Sequence, residues 1–361
     1  MPTPSNLKLF TVSLSSCSFL QNIADRGPLL AGLREVAQLA GVSEATASRA
    51  LRDITHVKAE TRKAVRDAAK KLSYGPFAEF DEERKNLQAV GVIAPYINRW
   101  YFSQALAGAE QALREAGLDL LIYNFNQVKG REKLFREQLK NSRIVGLLIV
   151  SLPPTQEEFE SLLGLGVPIS LIGLKHEGSP SVGIDDQDGA KIATQHLINQ
   201  GHRKIGLVAG AMNNQFHFPV PFERKAGFLS VLEANGIEWN PEHEVMGDFS
   251  MATGMQAMDE LLARRDRPTA IFCQSDEMAF GAIRSIARHE LTVPSDLSII
   301  GFDDHEMAEY FNLTTIRQPV SQIGELAAWQ ILDQMKNSKS EPKHITLPTQ
   351  LIVRGSTQKL Q

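Results

Sequence analysis

The chain has 361 residues, 43% hydrophobic and 22% charged, the composition of an ordinary soluble globular protein with room for two or three domains. No run approaches the roughly 18 consecutive apolar residues that span a bilayer, and the two cysteines, Cys17 and Cys273, are too few and too far apart for a disulfide framework or a cysteine-rich zinc site. The net charge of −4 is unevenly spread: residues 33–74 carry nine Lys/Arg against five Asp/Glu, so a small basic head precedes an acidic body, which suits an electrostatic footprint confined to one end.

Residues 1–31 are Ser/Leu-rich and show no convincing periodicity. Residues 33–74 read as helical, with apolar side chains at Leu33, Val36, Ala37 and Ala40 and again at Val65, Ala68, Ala69 and Leu72. Within LREVAQLAGVSEATASRAL (33–51), two short helices flank the turn Gly41-Val42-Ser43. Gly41 can take the left-handed conformation that ends the first, and Ser43 can cap the second. Ala37, Val42, Ala47 and Leu51 then face inward, leaving Glu44, Ala45, Ser48 and Arg49 on the outer side, where a recognition helix meets base edges. Arg49 can bond guanine in bidentate fashion and Glu44 can accept from a cytosine amine. Thr46, Lys58, Thr61, Arg62 and Lys63 suit phosphates, and Ser43 completes the candidate DNA-contacting set. A generic three-helix bundle with a solvated basic face is the plain alternative.

After a Gly75-Pro76 break, residues 75–88 are polar and read as a linker or a short charged helix. From residue 89 to 361, apolar runs alternate with amphipathic stretches. The predicted strands are 89–94, 119–124, 145–150, 168–173, 204–210, 269–274 and 298–303. Alternation of this kind implies parallel sheets covered on both faces, and the number of strands implies two doubly wound α/β lobes with a cleft between them. Ligands in such sheets sit beyond the carboxyl ends of the strands. Asp303, after the run SIIGF, and Asp185 and Asp186, after SVGI, lie at such ends. A carboxylate there accepts hydroxyls, Arg224 offers a fixed donor fork, and Trp100, Tyr101, Phe102 and Phe249 offer flat faces for a ring or, equally, fill the core.

EVAQLAGVSEATASRAL, followed by HVKAETRKAV and LSYGP, resembles the N-terminal signature of the LacI/GalR family of bacterial repressors. Further landmarks of that family recur in order, among them GIDDQDGA (183–190), HLINQGHRKIGLVAG (196–210), RPTAIFCQSDEMAFGAI (267–283) and VPSDLSIIGFDD (293–304). The resemblance covers residues 31–357. It implies a helix-turn-helix head over 32–74, a hinge, and a core like that of periplasmic sugar-binding proteins. It also implies a cytoplasmic homodimer on a pseudo-palindromic operator, with a small effector in the cleft, a sugar or sugar derivative first and a nucleobase or other small polar metabolite second. Arg224, Asp303, Phe102, Phe249 and Asp185 match effector-contacting positions of the family. Ser275 stands where the family has Asn or another polar residue, either as a short ligand contact or as a helix cap. The loop 213–222 is longer and more apolar than the family's, so Phe216, His217 and Phe218 are candidates for shaping specificity.

Nothing calls for catalysis or a cofactor: there is no glycine-rich loop ending in Gly-Lys, no G-x-S-x-G elbow and no Cys-x-x-Cys pair. His305-Glu306-Met307-Ala308-Glu309 lacks the second His of a zinc-protease helix and reads as a solvated helix start. Three departures from the family stand out. Gly32 and Lys58 occupy positions that usually hold helix caps. The hinge is acidic, with Phe80 and Glu83 where the family has Ala and a groove-wedging Leu, so its entry into the minor groove is not expected unless Phe80 or Leu87 substitutes. Residues 1–31 are extra, and Leu14-Ser15-Ser16-Cys17 resembles a lipoprotein processing site. That raises the rival of an exported solute-binding protein. The DNA-reading head argues against it, and an over-extended translation start is the simpler explanation.

Overall fold

The computed structural model describes residues 32–51, 57–72, 88–125, 128–139, 142, 144–213, 216–337 and 342–360. The extension with Cys17 and the acidic hinge with Phe80, Glu83 and Leu87 lie outside them. The described residues fall into two compact units, divided between Leu87 and Gln88. Among them, no helix is long and apolar enough to cross a membrane.

The head consists of α1 (Leu33–Leu39), α2 (Glu44–Leu51) and α3 (Ala59–Lys71). Their inner faces carry mostly small residues (Val36, Ala37, Ala47, Ala50, Val65, Ala68 and Ala69), so three short helices can pack closely around one core. Gly41, at φ +67°, ends α1. The N–H of Val42 reaches the Ala37 carbonyl at 2.9 Å and that of Gly41 the Gln38 carbonyl at 3.3 Å, a double closure that satisfies orphan carbonyls. Gly32 has no capping side chain, but the Glu35 carboxylate accepts from its N–H at 2.8 Å, which supplies half of a capping box.

The body holds two six-stranded sheets. Its strands are β1 (Ala89–Ala94), β2 (Asp119–Asn124), β3 (Ile144–Val150), β4 (Ile169–Ile172), β5 (Ser181–Gly183), β6 (Ile205–Ala209), β7 (Glu244–Met246), β8 (Ala270–Cys273), β9 (Ser298–Asp303), β10 (Thr314–Arg317), β11 (His344–Thr346) and β12 (Gln350–Ile352). The orders are β11-β5-β4-β3-β1-β2 and β12-β10-β9-β8-β6-β7, parallel throughout except for β10 against β12. Strands such as IVGLLIV are almost wholly buried because helices cover both faces, which is why they read as unbroken apolar runs. Each sheet accordingly has a core on either side.

All seven predicted strands are present, and five more were missed: β5, β7, β10, β11 and β12, of three or four residues each. They are too short and too polar to carry a period.

The helices α4 (Trp100–Glu115) and α11 (Val320–Lys336) lie on the first sheet, with α5 (Val128–Lys133), which continues as a π-turn to Gln138, and α6 (Gln156–Leu163) opposite. A Cβ at Gly324 would run into the Ala105 carbonyl, and one at Gly108 into that of Ser321, so these glycines let α4 and α11 touch backbone to backbone. The second sheet is covered by α7 (Asp186–Asn199) and α8 (Val220–Ala234) on one face, and by α9 (Met251–Leu262) and α10 (Asp276–Arg288) on the other. The chain passes between the lobes at 183–186, 317–320 and 346–350.

Candidate functional site

Two sites emerge, one in each unit. In the head, Ser43 Oγ accepts from the Thr46 N–H at 3.2 Å and shares a 2.8 Å bond with the Thr46 hydroxyl, so these two residues fix the start of α2. Glu44, Ala45 and Arg49 are exposed and Ser48 is half-buried. This outer face has the side chains that a helix needs to read a major groove. Lys58 and Lys63 are exposed, Thr61 is half-buried, and the Arg62 guanidinium turns inward, with Nη2 donating to the Val57 carbonyl at 3.4 Å. Arg62 therefore braces the head from within, while the two lysines remain on the surface.

In the body, a cleft of about 90 Å³ lies where the carboxyl ends of the strands of both sheets meet. The first lobe contributes Tyr96, Arg99, Tyr101, Phe102 and Ser151; the second contributes Asp186, Phe218, Arg224, Phe249, Ser275 and Asp303. Tyr96 follows β1, Ser151 follows β3, Ser275 follows β8 and Asp303 ends β9. The fold thus delivers these side chains to one place.

Arg224 organises the polar floor. It is 4% exposed, and its Nε donates to Asp186 Oδ1 at 2.7 Å. Nη1 donates to the Gln274 carbonyl and lies 3.8 Å from Asp303 Oδ1, while the guanidinium covers the Phe302 ring at 3.6 Å. Asp303 also accepts from Gln318 Nε2 at 2.6 Å. Burial raises its pKa well above the usual carboxylate range, against the pull of Arg224. The backbone is strained here, with φ +129° at Asp303 and +56° at Asp304. Arg317 and Arg354 hold Asp304 from both sides, at 2.6 and 2.7 Å. Just behind, buried Asp276 accepts from the His305 N–H at 2.8 Å and the Thr315 hydroxyl at 2.6 Å, and burial pushes its pKa up to about 7.

The walls are aromatic. Phe102 meets Tyr96 edge-on at 5.7 Å and Tyr101 at 5.6 Å. Burial raises the Tyr101 pKa to about 12, so its hydroxyl stays a neutral partner for Ser151 at physiological pH. Phe249 holds φ +64°, and a Cβ at Gly210 would collide with its ring.

Of the effector positions read from the sequence, Tyr101, Phe102, Arg224, Phe249, Ser275 and Asp303 converge on the cleft, whereas Asp185 does not line it. The exposed Asp185 side chain caps α7, accepting from the Asp188 N–H at 2.8 Å, and its neighbour Asp186 turns into the cleft. Ser275 is a helix cap, accepting from the Met278 N–H at 3.3 Å, and also borders the cleft. Trp100 lies outside the lining: its ring stacks on His305 at 5.3 Å and its indole N–H donates to Glu306. His305 starts a short 3₁₀ turn, as the sequence implied, but half-buried beneath Trp100 rather than solvated. Sequence reasoning missed Tyr96, Ser151, Glu277 and Gln318. The first two follow predicted strands, so the strand-end rule applied to every strand would have found them.

Family models match both parts: the bacterial regulatory proteins of the lacI family at residues 32–76, and a periplasmic binding protein-like domain at residues 194–357. The HTH-type transcriptional repressor PurR of Actinobacillus pleuropneumoniae serotype 3 (strain JL03) is 31% identical over 338 residues, spanning 92% of this chain and 99% of PurR. Among solved structures, the transcriptional regulator CelR in complex with cellobiose is 30% identical, with a TM-score of 0.67, covering 90% of this chain and 99% of CelR. The lac repressor dimer bound to operator and the anti-inducer ONPF is 27% identical, also at 0.67, covering 91% of this chain and all of its own. The head and two-lobed body define a class of DNA-binding transcriptional regulators with a ligand-binding domain, and the chain belongs to its LacI family. The rival of an exported solute-binding protein has no support from these relatives, since the match to PurR runs through nearly the whole of a transcriptional repressor.

Proposed function

We propose that this protein is a cytoplasmic, homodimeric repressor that binds a pseudo-palindromic operator through α2 and releases or tightens on it when a small neutral sugar occupies the cleft. The head spans 32–74, the linker 75–88 and the effector body 89–361. Arg49 and Glu44 read bases, with Ser43, Ala45, Thr46 and Ser48 beside them, while Lys58, Thr61 and Lys63 support the head on the phosphates and Arg62 braces it from within. Tyr101, Phe102, Arg224, Phe249, Ser275 and Asp303 contact the effector. Asp186 replaces Asp185 in that set.

The observation that carries the effector reading is the pairing of aromatic walls with a carboxylate floor. Arg224 is already engaged by Asp186, so the cleft offers Asp303 and Glu277 as acceptors for hydroxyl groups and rings for the apolar face of a sugar. The cellobiose complex of CelR favours the same class. A thermal-shift screen of neutral sugars tests the reading. A ligand at 100 times its Kd contributes about 2.7 kcal/mol. A screen in which no neutral sugar raises Tm, while another class does, replaces the sugar.

A further inference from the structure

The loop between β6 and α8 belongs to the second lobe by its connections, yet it delivers two rings to the first. Phe216 is fully buried, in the cluster that Ile93, Phe125, Leu134, Phe135 and Ile149 form on the outer side of the first sheet. It meets Phe125 edge-on at 5.4 Å and Tyr96 at 6.0 Å. Phe218 packs on Tyr96 at 6.3 Å and Phe102 at 6.5 Å and borders the cleft. His217 between them is exposed, at φ +56°. Elsewhere around the cleft the lobes also touch. Arg99 donates to the Asp248 carbonyl and lies 3.4 Å from its carboxylate, and Trp100 seats on His305 and Glu306.

We propose that Phe216 is an interlobe plug: by filling a hole in the first lobe's core it holds the cleft closed in the ligand-free protein and positions Phe218 as a wall of the effector site. Separating the lobes must either expose a fully buried ring and empty its hole or drag the loop out of the second lobe. Closure therefore belongs to the chain itself, and an effector entering the cleft meets Phe218 already in place. The rings of Tyr96 and Phe102, which touch Phe218, then sense the effector and the lobe arrangement together. The inference does not depend on the effector being a sugar, because it concerns the protein without ligand.

Trp100 supplies the readout, since lobe separation would free its indole from His305 and Glu306. In the full-length protein carrying Trp239→Phe and Trp329→Phe, only Trp100 fluoresces as tryptophan. Phe216→Ala should move its ligand-free emission toward that of solvated tryptophan, and Phe216→Leu should move it less in the same direction. Leu162→Ala, which opens the same first-lobe cluster without touching the loop, should lower Tm and leave the emission unchanged. A ring that merely fills the first lobe's core would lower Tm without moving the emission. If Phe216→Ala does not fold, Phe216→Leu carries the comparison. An emission equal to that of the parent in every folded Phe216 variant overturns the proposal.

Discussion

Arg224 donates to Asp186 across 2.7 Å in a part of the cleft where both side chains are about nine-tenths buried or more, so the cation reaches the site already paired. Breaking that pair from the cation side leaves Asp186 charged and buried. Arg224→Ala should therefore cost about 3–5 kcal/mol of stability, besides losing effector. Asp303→Asn differs, because burial already disfavours that carboxylate's charge. It should leave Tm nearly unchanged while weakening effector binding by about 2–5 kcal/mol. Chemical denaturation and calorimetry on both variants separate the two effects, and equal losses of stability would refute this division of roles.

Carboxylates also predict what the cleft rejects. Asp303 and Glu277 border it with their own charge already disfavoured by burial, and both lining cations are taken, Arg224 by Asp186 and Arg99 by Asp248, so a phosphate entering it meets acceptors and no free positive partner. A phosphorylated form of any sugar that binds should do so on the order of 100-fold more weakly, since placing a negative group beside acidic ones without a cation to offset it costs several kcal/mol. Competition calorimetry with the matched pair decides it; equal or tighter binding of the phosphate ester would contradict the charge argument.

Stability should fall with acid through His202. This ring is 2% exposed, with Nδ1 at 2.9 Å from the Thr269 hydroxyl and Nε2 at 3.1 Å from that of Ser298 and 3.2 Å from the Gln358 carbonyl. Burial holds its pKa below the ordinary histidine value of 6.5, with the Gln358 carbonyl pulling the other way. Its contribution is complete above about pH 6.5 and is lost below it, as the unfolded chain takes up a proton that the folded ring refuses. Between about pH 7.5 and 5.5, the drop in Tm should be smaller in His202→Ala than in the wild type. The variant should also lose about 1–3 kcal/mol at neutral pH, because the Ser298 and Thr269 hydroxyls each lose one partner, keeping only the Gln358 N–H and the Lys204 carbonyl respectively. His196 shifts in the same direction, so some slope remains. An unchanged slope would show that His202 does not carry it.

On DNA, Arg49→Ala should cost about 1–3 kcal/mol per half-site and relax base preference, whereas Lys63→Ala should weaken all sequences alike and flatten the salt dependence. Arg62→Ala belongs to a third kind: its guanidinium reaches the Val57 carbonyl, so its loss should lower the stability of the head. Binding isotherms on matched and mismatched duplexes at several salt concentrations distinguish base contacts from phosphate contacts.

Much of this architecture was legible because buried parallel strands write unbroken apolar runs, and because Gly41 and Ser43, either side of Val42, mark the end of one helix and the start of the next. Asp303 was legible for the same reason, as the polar residue that stops such a run. Asp185 and Asp186 were not separable, since both follow SVGI and only the start of α7 decides which one caps and which one points inward. Trp100 sits one residue from Tyr101 on the first turn of α4, where neighbours face about 100° apart, so one lines the cleft and the other docks on His305. The burial of Phe216 in the opposite lobe depends on tertiary contact alone, and no local pattern announces it.

The central claim is that two copies of α2 read a symmetric DNA site under effector control, and binding-site selection from random duplexes tests it most directly. The full-length protein should enrich a pseudo-palindrome whose half-sites lie one helical turn apart or a multiple of it, and addition of the effector found by thermal shift should change its affinity for that duplex. Recovery of no symmetric sequence, or an operator affinity indifferent to every ligand that raises Tm, would contradict the account.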